Sequence, residues 1–166
     1  MIRFVGEIEG VTVLNRAFNR IDQHISDFRG IWPDVTRTIY GIFGKAFDTE
    51  GASTAAGKWK ALTPSYAKRK AIQYPGQPIL RATNSLFESM TDPEAPGAIY
   101  RPERDQLTIG TKDPKGRAHQ HGGGRLPARP IISFTESDKR DIQKSIQAGL
   151  VRFVRGLGFN VEEKAA

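Results

Sequence analysis

His119 and His121 are the residues best suited to chemistry, because two imidazoles separated by one residue could share a metal ion. On an extended segment their side chains would point to the same side. A zinc site needs further ligands, yet the chain has no cysteine. Its remaining histidine, His24, belongs to a predicted N-terminal helix. We therefore predict no metal site and expect both histidines to make polar contacts in a loop or at an interface.

Patterns for other kinds of catalysis are missing from the sequence. The run Gly122-Gly123-Gly124 lacks the Gly-Lys-Ser/Thr ending with which a P-loop holds phosphate. A nucleophilic serine would need a Gly-x-Ser-x-Gly elbow, which the chain does not contain. The absence of cysteine excludes disulfides and thiolate chemistry. We predict that the protein is not an enzyme and that it has no catalytic residue.

Residues 119–130 combine conformational freedom with stiffness. Consecutive glycines favour a turn or a mobile connector, because glycine loses much conformational entropy in regular structure. The two prolines that follow favour extended backbone. We predict a short apolar strand over 131–134 and then a helix that begins at Thr135. This order suits an arm that becomes ordered on a neighbouring subunit, where Arg129 would bond to an acidic partner.

The clearest periodicity runs from Leu14 to Ile42, with apolar residues every three or four positions. This spacing predicts a long amphipathic helix. Because Pro33 interrupts the pattern and disfavours helical geometry at Trp32, we expect a kink or break near Ile31 and a second helix from about Asp34 to Phe47. The stripe serves either the core alone or the core together with a subunit interface. Its members are Leu14, Phe18, Ile21, Ile25, Phe28, Trp32, Val35, Ile39 and Ile42.

Shorter elements are predicted on either side of this stripe. They are a strand over 2–8, a helix over 64–72 capped by Thr63, a short helix after Thr83 or Asn84, a hairpin of 98–101 with 106–110, and a closing helix over 136–155. Flexible loops are expected at about 48–58 and 111–126, with a short C-terminal tail. The predicted fold is a single α+β domain over 1–166, in which a long kinked N-terminal helix and a C-terminal helix pack on a small, mostly antiparallel sheet.

The chain is basic, with a formal net charge of +7. Basic residues without any acid occupy 58–81. They form either a solvated face or a surface that attracts phosphate. Aromatic residues do not alternate with them as a base-stacking surface requires. The sequence shows no signal peptide and no apolar run long enough to span a bilayer, so we expect a soluble protein made in a cytoplasm and without a membrane partner.

Three stretches carry a pattern seen elsewhere, and we name them by their residues. The Trp59 motif is Trp59-x-x-Leu62-Thr63-x-x-Tyr66-Ala67-x-x-Lys70, preceded by Phe47 and a glycine-containing loop; the Leu80 motif is Leu80-x-x-Thr83-Asn84-x-Leu86-x-x-Ser89; the glycine-arm motif is residues 118–130. Together with the closing helix they make four ordered elements, from about Phe47 to the end of that helix, that resemble the phage virion morphogenesis (tail completion) family. Arg117 stands where the family has an aromatic residue. Asn84 stands where it has glycine, and asparagine tolerates the left-handed conformation.

The resemblance implies a structural protein of the virion neck or tail end, which completes the tail and stabilises head–tail joining. It implies a ring of identical subunits, a hexamer by the symmetry of phage tails, assembled in the cytoplasm of the host bacterium and then part of the virion. The implied partners are further copies of the chain and neighbouring neck, connector, tail terminator or tail tube proteins. The resemblance also implies no cofactor and no small-molecule substrate. Alternatives are a DNA-binding protein without sequence specificity and a nuclease or toxin-like enzyme built on His119 and His121.

Two sets of residues are expected to serve this role. The expected subunit interface consists of His119, Gln120, Gly122, Gly123, Pro127, Arg129 and Pro130. The residues expected to face genomic DNA in the lumen, with phosphate contacts only, are Lys68, Arg69, Lys70 and Arg125.

Overall fold

The structure is a computed structural model and describes residues 27–156. In this part the chain forms five helices and two strands: α1 (Trp32–Asp48), α2 (Pro64–Gln73), α3 (Ser85–Thr91), β1 (Ala98–Pro102), β2 (Leu107–Thr111), α4 (Pro114–His121) and α5 (Glu136–Gly156). The fold is therefore α+β, as predicted. The predicted strand over 2–8 and the first part of the long helix lie outside the described residues. Among residues 27–156, no helix is long and apolar enough to cross a bilayer.

Pro33 lies in the first turn of α1, where its missing N–H costs no hydrogen bond. The predicted helix over 34–47 is thus confirmed to within two residues. Trp32 corrects our expectation, because it is the first residue of α1 and not outside helical geometry. Its side chain is buried, and its indole Nε1 donates a hydrogen bond to the carbonyl oxygen of Glu103 at 2.6 Å. This contact joins the start of α1 to the turn between the strands.

The closing helix, α5, runs antiparallel to α1. Phe134, just before α5, stacks on Phe43 with ring centroids 6.0 Å apart. Near its other end, Arg152 forms an ion pair with Asp34 in the first turn of α1. The helices approach closely at Gly149, where an added Cβ would lie 2.6 Å from Cγ2 of Ile31. Apolar stripe residues in the described part pack in this seam and against the hairpin, so they belong to the core of their own chain: Phe28, Trp32, Val35 and Ile39.

A second apolar cluster holds the other end of α1 against α2, α3 and the loops. Phe47 is fully buried and meets the edges of Trp59 and Phe87, with ring centroids 5.7 and 5.3 Å apart. β1 and β2 pair antiparallel from Ala98 opposite Thr111 to Pro102 opposite Leu107, which confirms the predicted hairpin. We expected both long helices to pack on the sheet, but the helix with the main contacts to the hairpin is the short α3.

Two local predictions are wrong. The segment 111–126, expected to be a flexible loop, contains the helix α4. Its cap is Asp113, whose carboxylate accepts a hydrogen bond from the backbone N–H of Lys115 at 2.9 Å, and Pro114 follows at the first helical position. The predicted strand over 131–134 pairs with no strand of the described chain, because a side chain of α4 takes its N–H groups. The predicted loop at 48–58 is a series of hydrogen-bonded turns.

Candidate subunit interface: a basic and apolar groove

A groove with a volume of about 400 Å³ lies between α2, the start of α3, α4 and residues 125–129. It brings the Trp59, Leu80 and glycine-arm motifs together, although they are far apart in sequence. The apolar surface of the groove comes from Leu62, Tyr66, Leu80, Leu126 and Pro127. Its basic side chains are Lys70, Lys115, His119, Arg125 and Arg129. None of the described side chains that line it is acidic.

The glycine turn folds the arm back onto α4. Gly122, Gly123 and Gly124 all have positive φ, a conformation that glycine adopts without steric cost. The backbone of Gly123 bridges to Leu126. A Cβ at Gly122 would lie 2.7 Å from the backbone nitrogen of Ala128, so only glycine fits there. The arm is therefore packed on its own chain. We had expected it to become ordered only on a neighbouring subunit.

Arg129 is the centre of this packing. Its side chain is buried, with 4% of its surface exposed. The guanidinium donates hydrogen bonds to the backbone carbonyls of Lys60 at 2.8 Å and Ala61 at 3.3 Å. Burial lowers the pKa of Arg129, and Tyr66 opposes this shift. We expected Arg129 to bond to an acidic neighbour, but in the structure it joins the arm to the Trp59 motif of its own chain.

Gln120 and Pro130 have comparable internal roles. The side-chain oxygen of Gln120 accepts hydrogen bonds from the N–H groups of Ile131 at 3.0 Å and Ile132 at 3.1 Å. Its amide nitrogen donates to the carbonyl oxygen of Ile132 at 2.9 Å. The carbonyl oxygen of Pro130 accepts a hydrogen bond from the indole of Trp59. These two predicted interface residues hold the fold together, whereas Gly123 is exposed and Pro127 half-buried at the surface of the arm.

Lys70 is not available to contact DNA. It is 5% exposed, and its ammonium donates a hydrogen bond to the carbonyl oxygen of Pro78. Burial lowers the pKa of Lys70, and Glu50 opposes this shift. Of the other residues expected to face DNA, Lys68, Arg69 and Arg125 are exposed. The guanidinium of Arg69 lies 5.1 Å from the ring centroid of Tyr66 at the edge of the groove.

His119 and His121 do not share a side of an extended segment, because α4 separates them by two helical positions. His119 is half-buried in the groove and His121 is exposed. The buried Nδ1 of His119 has no hydrogen-bond partner among residues 27–156. Burial lowers the pKa of His119, and the positive charge of Arg129 lowers it further. Within the described part of the chain, no group of three or more metal-ligating side chains could hold a metal ion.

Our sequence reasoning missed the apolar lining of the groove. Tyr66 and Leu126 are large apolar side chains with 40% and 37% of their surface exposed, which marks a contact surface when they adjoin others. The sequence carries one indication of this lining. Tyr66 and Lys70 are four residues apart in a helix, so their side chains lie on the same face. Leu126 could not be placed without the turn at Gly122–Gly124.

The comparison with protein families agrees with the resemblance. No curated protein and no solved structure matches the chain. The model of the phage virion morphogenesis family matches residues 10–151, which include all three motifs and every side chain that lines the groove. Because this match covers most of the chain, the protein belongs to the phage virion morphogenesis family and has a structural or assembly role in the phage.

Proposed function

We propose that the protein is a structural subunit of the neck or tail end of the virion, which completes the tail and stabilises head–tail joining as part of a hexameric ring. The observation that carries this proposal is the groove, because three motifs within the family match meet there at the surface. Its partners are further copies of the chain and adjacent neck, connector, tail terminator or tail tube proteins.

The composition of the groove suits a protein partner. Exposed apolar side chains surrounded by charged ones are typical of protein interfaces. Tyr66 and Leu126 supply the apolar part, and Arg69 and Arg125 lie exposed near them. In a ring, one surface of a subunit meets a different surface of the next, so a groove on one side needs a complementary segment on the other.

The test is a phage that lacks this gene and is complemented with the wild-type chain or with a groove variant, Tyr66→Ser combined with Leu126→Ser. We expect the deletion to give separate heads and tails by electron microscopy and the wild-type chain to restore joined particles. Mass spectrometry of purified virions should detect the chain at six copies. An exposed apolar residue outside the groove, Ile72 (81% exposed), provides the control Ile72→Ser, which should complement. Normal particles without the chain would contradict the proposal.

Exposed basic residues support a second candidate, a DNA-binding protein without sequence specificity. Lys68, Arg69 and Arg125 are exposed, and the formal net charge is +7. Contacts to phosphate release counterions, so binding to duplex DNA would weaken steeply as salt concentration rises. Binding that falls with salt and is lost in the Lys68→Glu, Arg69→Glu variant would favour this candidate if the same variant also failed to complement the deletion phage.

A further inference from the structure

The groove contains two buried cations that form no ion pair within residues 27–156. Lys70 and Arg129 are 5% and 4% exposed, and both line the groove. Their hydrogen bonds go to backbone carbonyls, and neither forms an ion pair with any described residue. The side-chain oxygen of Glu50, the carboxylate that influences Lys70, accepts a hydrogen bond from the N–H of Ile79 at 3.0 Å.

Such an arrangement is costly for an isolated subunit. A buried charge without a counter-charge costs free energy, because water no longer solvates it. Arg125 adds positive charge to the same groove, whereas the ammonium of Lys115 pairs with the carboxylate of Asp113 at 3.9 Å. A ligand with carboxylates next to apolar side chains would satisfy both the charge and the apolar lining.

The chain itself contains such a segment. Residues 157–166 read Leu-Gly-Phe-Asn-Val-Glu-Glu-Lys-Ala-Ala, so the apolar residues Phe159 and Val161 lie within three positions of the acid Glu162, which Glu163 follows. This segment follows α5 and lies beyond the part that the structure describes. We propose that the groove binds residues 159–163 of a second copy of this chain, with Phe159 and Val161 against the apolar lining and the two carboxylates near Lys70 and Arg125. This inference rests on the proposed ring.

The position of α5 explains why the segment comes from a second copy. Arg152 pairs with Asp34 at the start of α1, and α5 continues for another turn beyond Arg152. The groove lies at the other end of α1, where Asp48 pairs with Arg81, the neighbour of the groove residue Leu80. A 17-residue helix spans roughly 25 Å, and one further turn adds about 5 Å.

Even when fully extended, the seven residues from Leu157 to Glu163 could span at most about 25 Å, which is less than the roughly 30 Å that α1 and the last turn of α5 place between the end of α5 and the groove of the same subunit. A segment at one end and a groove at the other form a heterologous contact, which closes into a ring when the rotation between subunits is right.

Site-specific photo-cross-linking tests the contact in the full chain. We would make Phe159→p-benzoylphenylalanine during phage infection and irradiate the assembled particles. We expect a cross-link between two copies of the chain, mapped by mass spectrometry to residues 62–70 or 125–129. Mixing isotope-labelled and unlabelled chains distinguishes a contact between copies from one within a copy. A cross-link within one copy, to a different protein, or to another surface of the chain would overturn the proposal.

The charge component has its own test. The variant Glu162→Gln, Glu163→Gln should raise the dissociation constant between subunits by about tenfold or more, because truncating one side of a buried charge pair leaves the other unpaired. Mass photometry measures the ring population. The matched control is Glu94→Gln, an exposed acid in the turn before β1, which should leave assembly unchanged.

The outcomes separate this inference from the proposed function. If the Glu162→Gln, Glu163→Gln variant assembles like the wild type and complements the deletion phage, residues 159–163 do not occupy the groove, although the protein can still be a ring subunit. If the wild-type chain is absent from virions and forms no ring, the proposed function fails and the docking contact fails with it.

Discussion

The indole Nε1 of Trp59 donates a hydrogen bond to the carbonyl oxygen of Pro130 at 2.8 Å, across 71 residues of sequence. This bond connects the Trp59 motif to the glycine-arm motif, and Arg129 makes a second connection one residue earlier through the carbonyl of Lys60. Because the groove lies between these two motifs, both bonds hold its two sides together. Trp59 and Pro130, which do not line the groove, thus help to position the side chains that do.

Replacing Trp59 by phenylalanine tests this connection. Trp59→Phe removes the only hydrogen bond that the structure gives Pro130 O and leaves a small void beside Phe47. We expect a loss of about 2–4 kcal/mol in the free energy of unfolding, from the unsatisfied carbonyl and the lost packing. Urea denaturation followed by circular dichroism measures it. The control Tyr66→Phe, at a partly exposed residue, should change stability by less than about 0.5 kcal/mol; equal effects would refute the connection.

Gly51 and Gly57 form a matched pair around the same tryptophan. Both have positive φ, so alanine is strained at either position, by about 1 kcal/mol. Only at Gly51 would the new Cβ collide, since it would lie 2.4 Å from Cδ1 of Trp59, whereas Gly57 has open space. We predict that Gly51→Ala costs at least about 2 kcal/mol more than Gly57→Ala in thermal or urea unfolding. Similar losses of unfolding free energy in the two variants would show that the backbone at Gly51 shifts and avoids the collision with Trp59.

Elements with a local signal could be predicted from the sequence. Thr135 was expected to begin the closing helix, and its hydroxyl accepts a hydrogen bond from the N–H of Asp138 at 3.1 Å while the carboxylate of Asp138 accepts one from the N–H of Thr135 at 2.7 Å. Asn84 was expected to tolerate the left-handed conformation and has φ 59°. Caps and turns depend on neighbours a few residues away, so their chemistry is visible in a short window.

The groove could not be predicted in the same way, because it depends on contacts between distant residues. Lys70 and Arg129 resemble surface cations in sequence, and only the packing of the Leu80 and glycine-arm motifs buries them. The strand expected over 131–134 failed for a similar reason: Gln120, 11 residues before Ile131, bonds to its N–H group where a strand would have done so. Asp113-Pro114 carries a local helix-start signal, an N-cap carboxylate followed by proline at the first helical position.

His119 predicts a pH dependence of stability. Burial, and then the charge of Arg129, lowers its pKa in the folded protein below the ordinary 6.5. The unfolded chain therefore binds a proton more readily, so the contribution of His119 is fully present above about pH 6.5 and is lost as the pH falls towards the folded pKa. We expect His119→Gln to reduce the slope of unfolding free energy between about pH 5 and pH 7.

The control for that experiment is His121→Gln, on the exposed side of the same helix. It should keep the wild-type dependence of unfolding free energy on pH, measured by urea titration at each pH. A wild-type slope in the His119→Gln variant would mean that His119 is solvated in the folded protein and that the groove is more open than in the structure.

Arg125 and Arg129 are four residues apart, yet charge reversal should affect different properties at the two positions. Arg129 is buried and bonded to Lys60 and Ala61. Arg129→Glu leaves these carbonyls unpaired and buries an isolated carboxylate, so we expect a loss of about 3–5 kcal/mol in unfolding free energy. Arg125 is exposed at the groove, and Arg125→Glu should change unfolding free energy by less than about 0.5 kcal/mol.

For assembly, the informative change is the charge reversal at Arg125, because Arg125 lies exposed at the groove. Arg125→Glu places a negative charge where the proposed partner segment brings carboxylates, so a folded subunit should assemble at least about tenfold more weakly, as measured by mass photometry. Arg129→Lys provides the companion variant, since it keeps the charge but loses the two-carbonyl geometry of the guanidinium. If Arg125→Glu assembled normally, the proposed contact between Arg125 and carboxylates of the partner segment would be excluded. If Arg129→Glu remained fully stable, the arm would be bound less tightly to its own chain than the structure indicates, and an arm that becomes ordered on a neighbouring subunit would regain support.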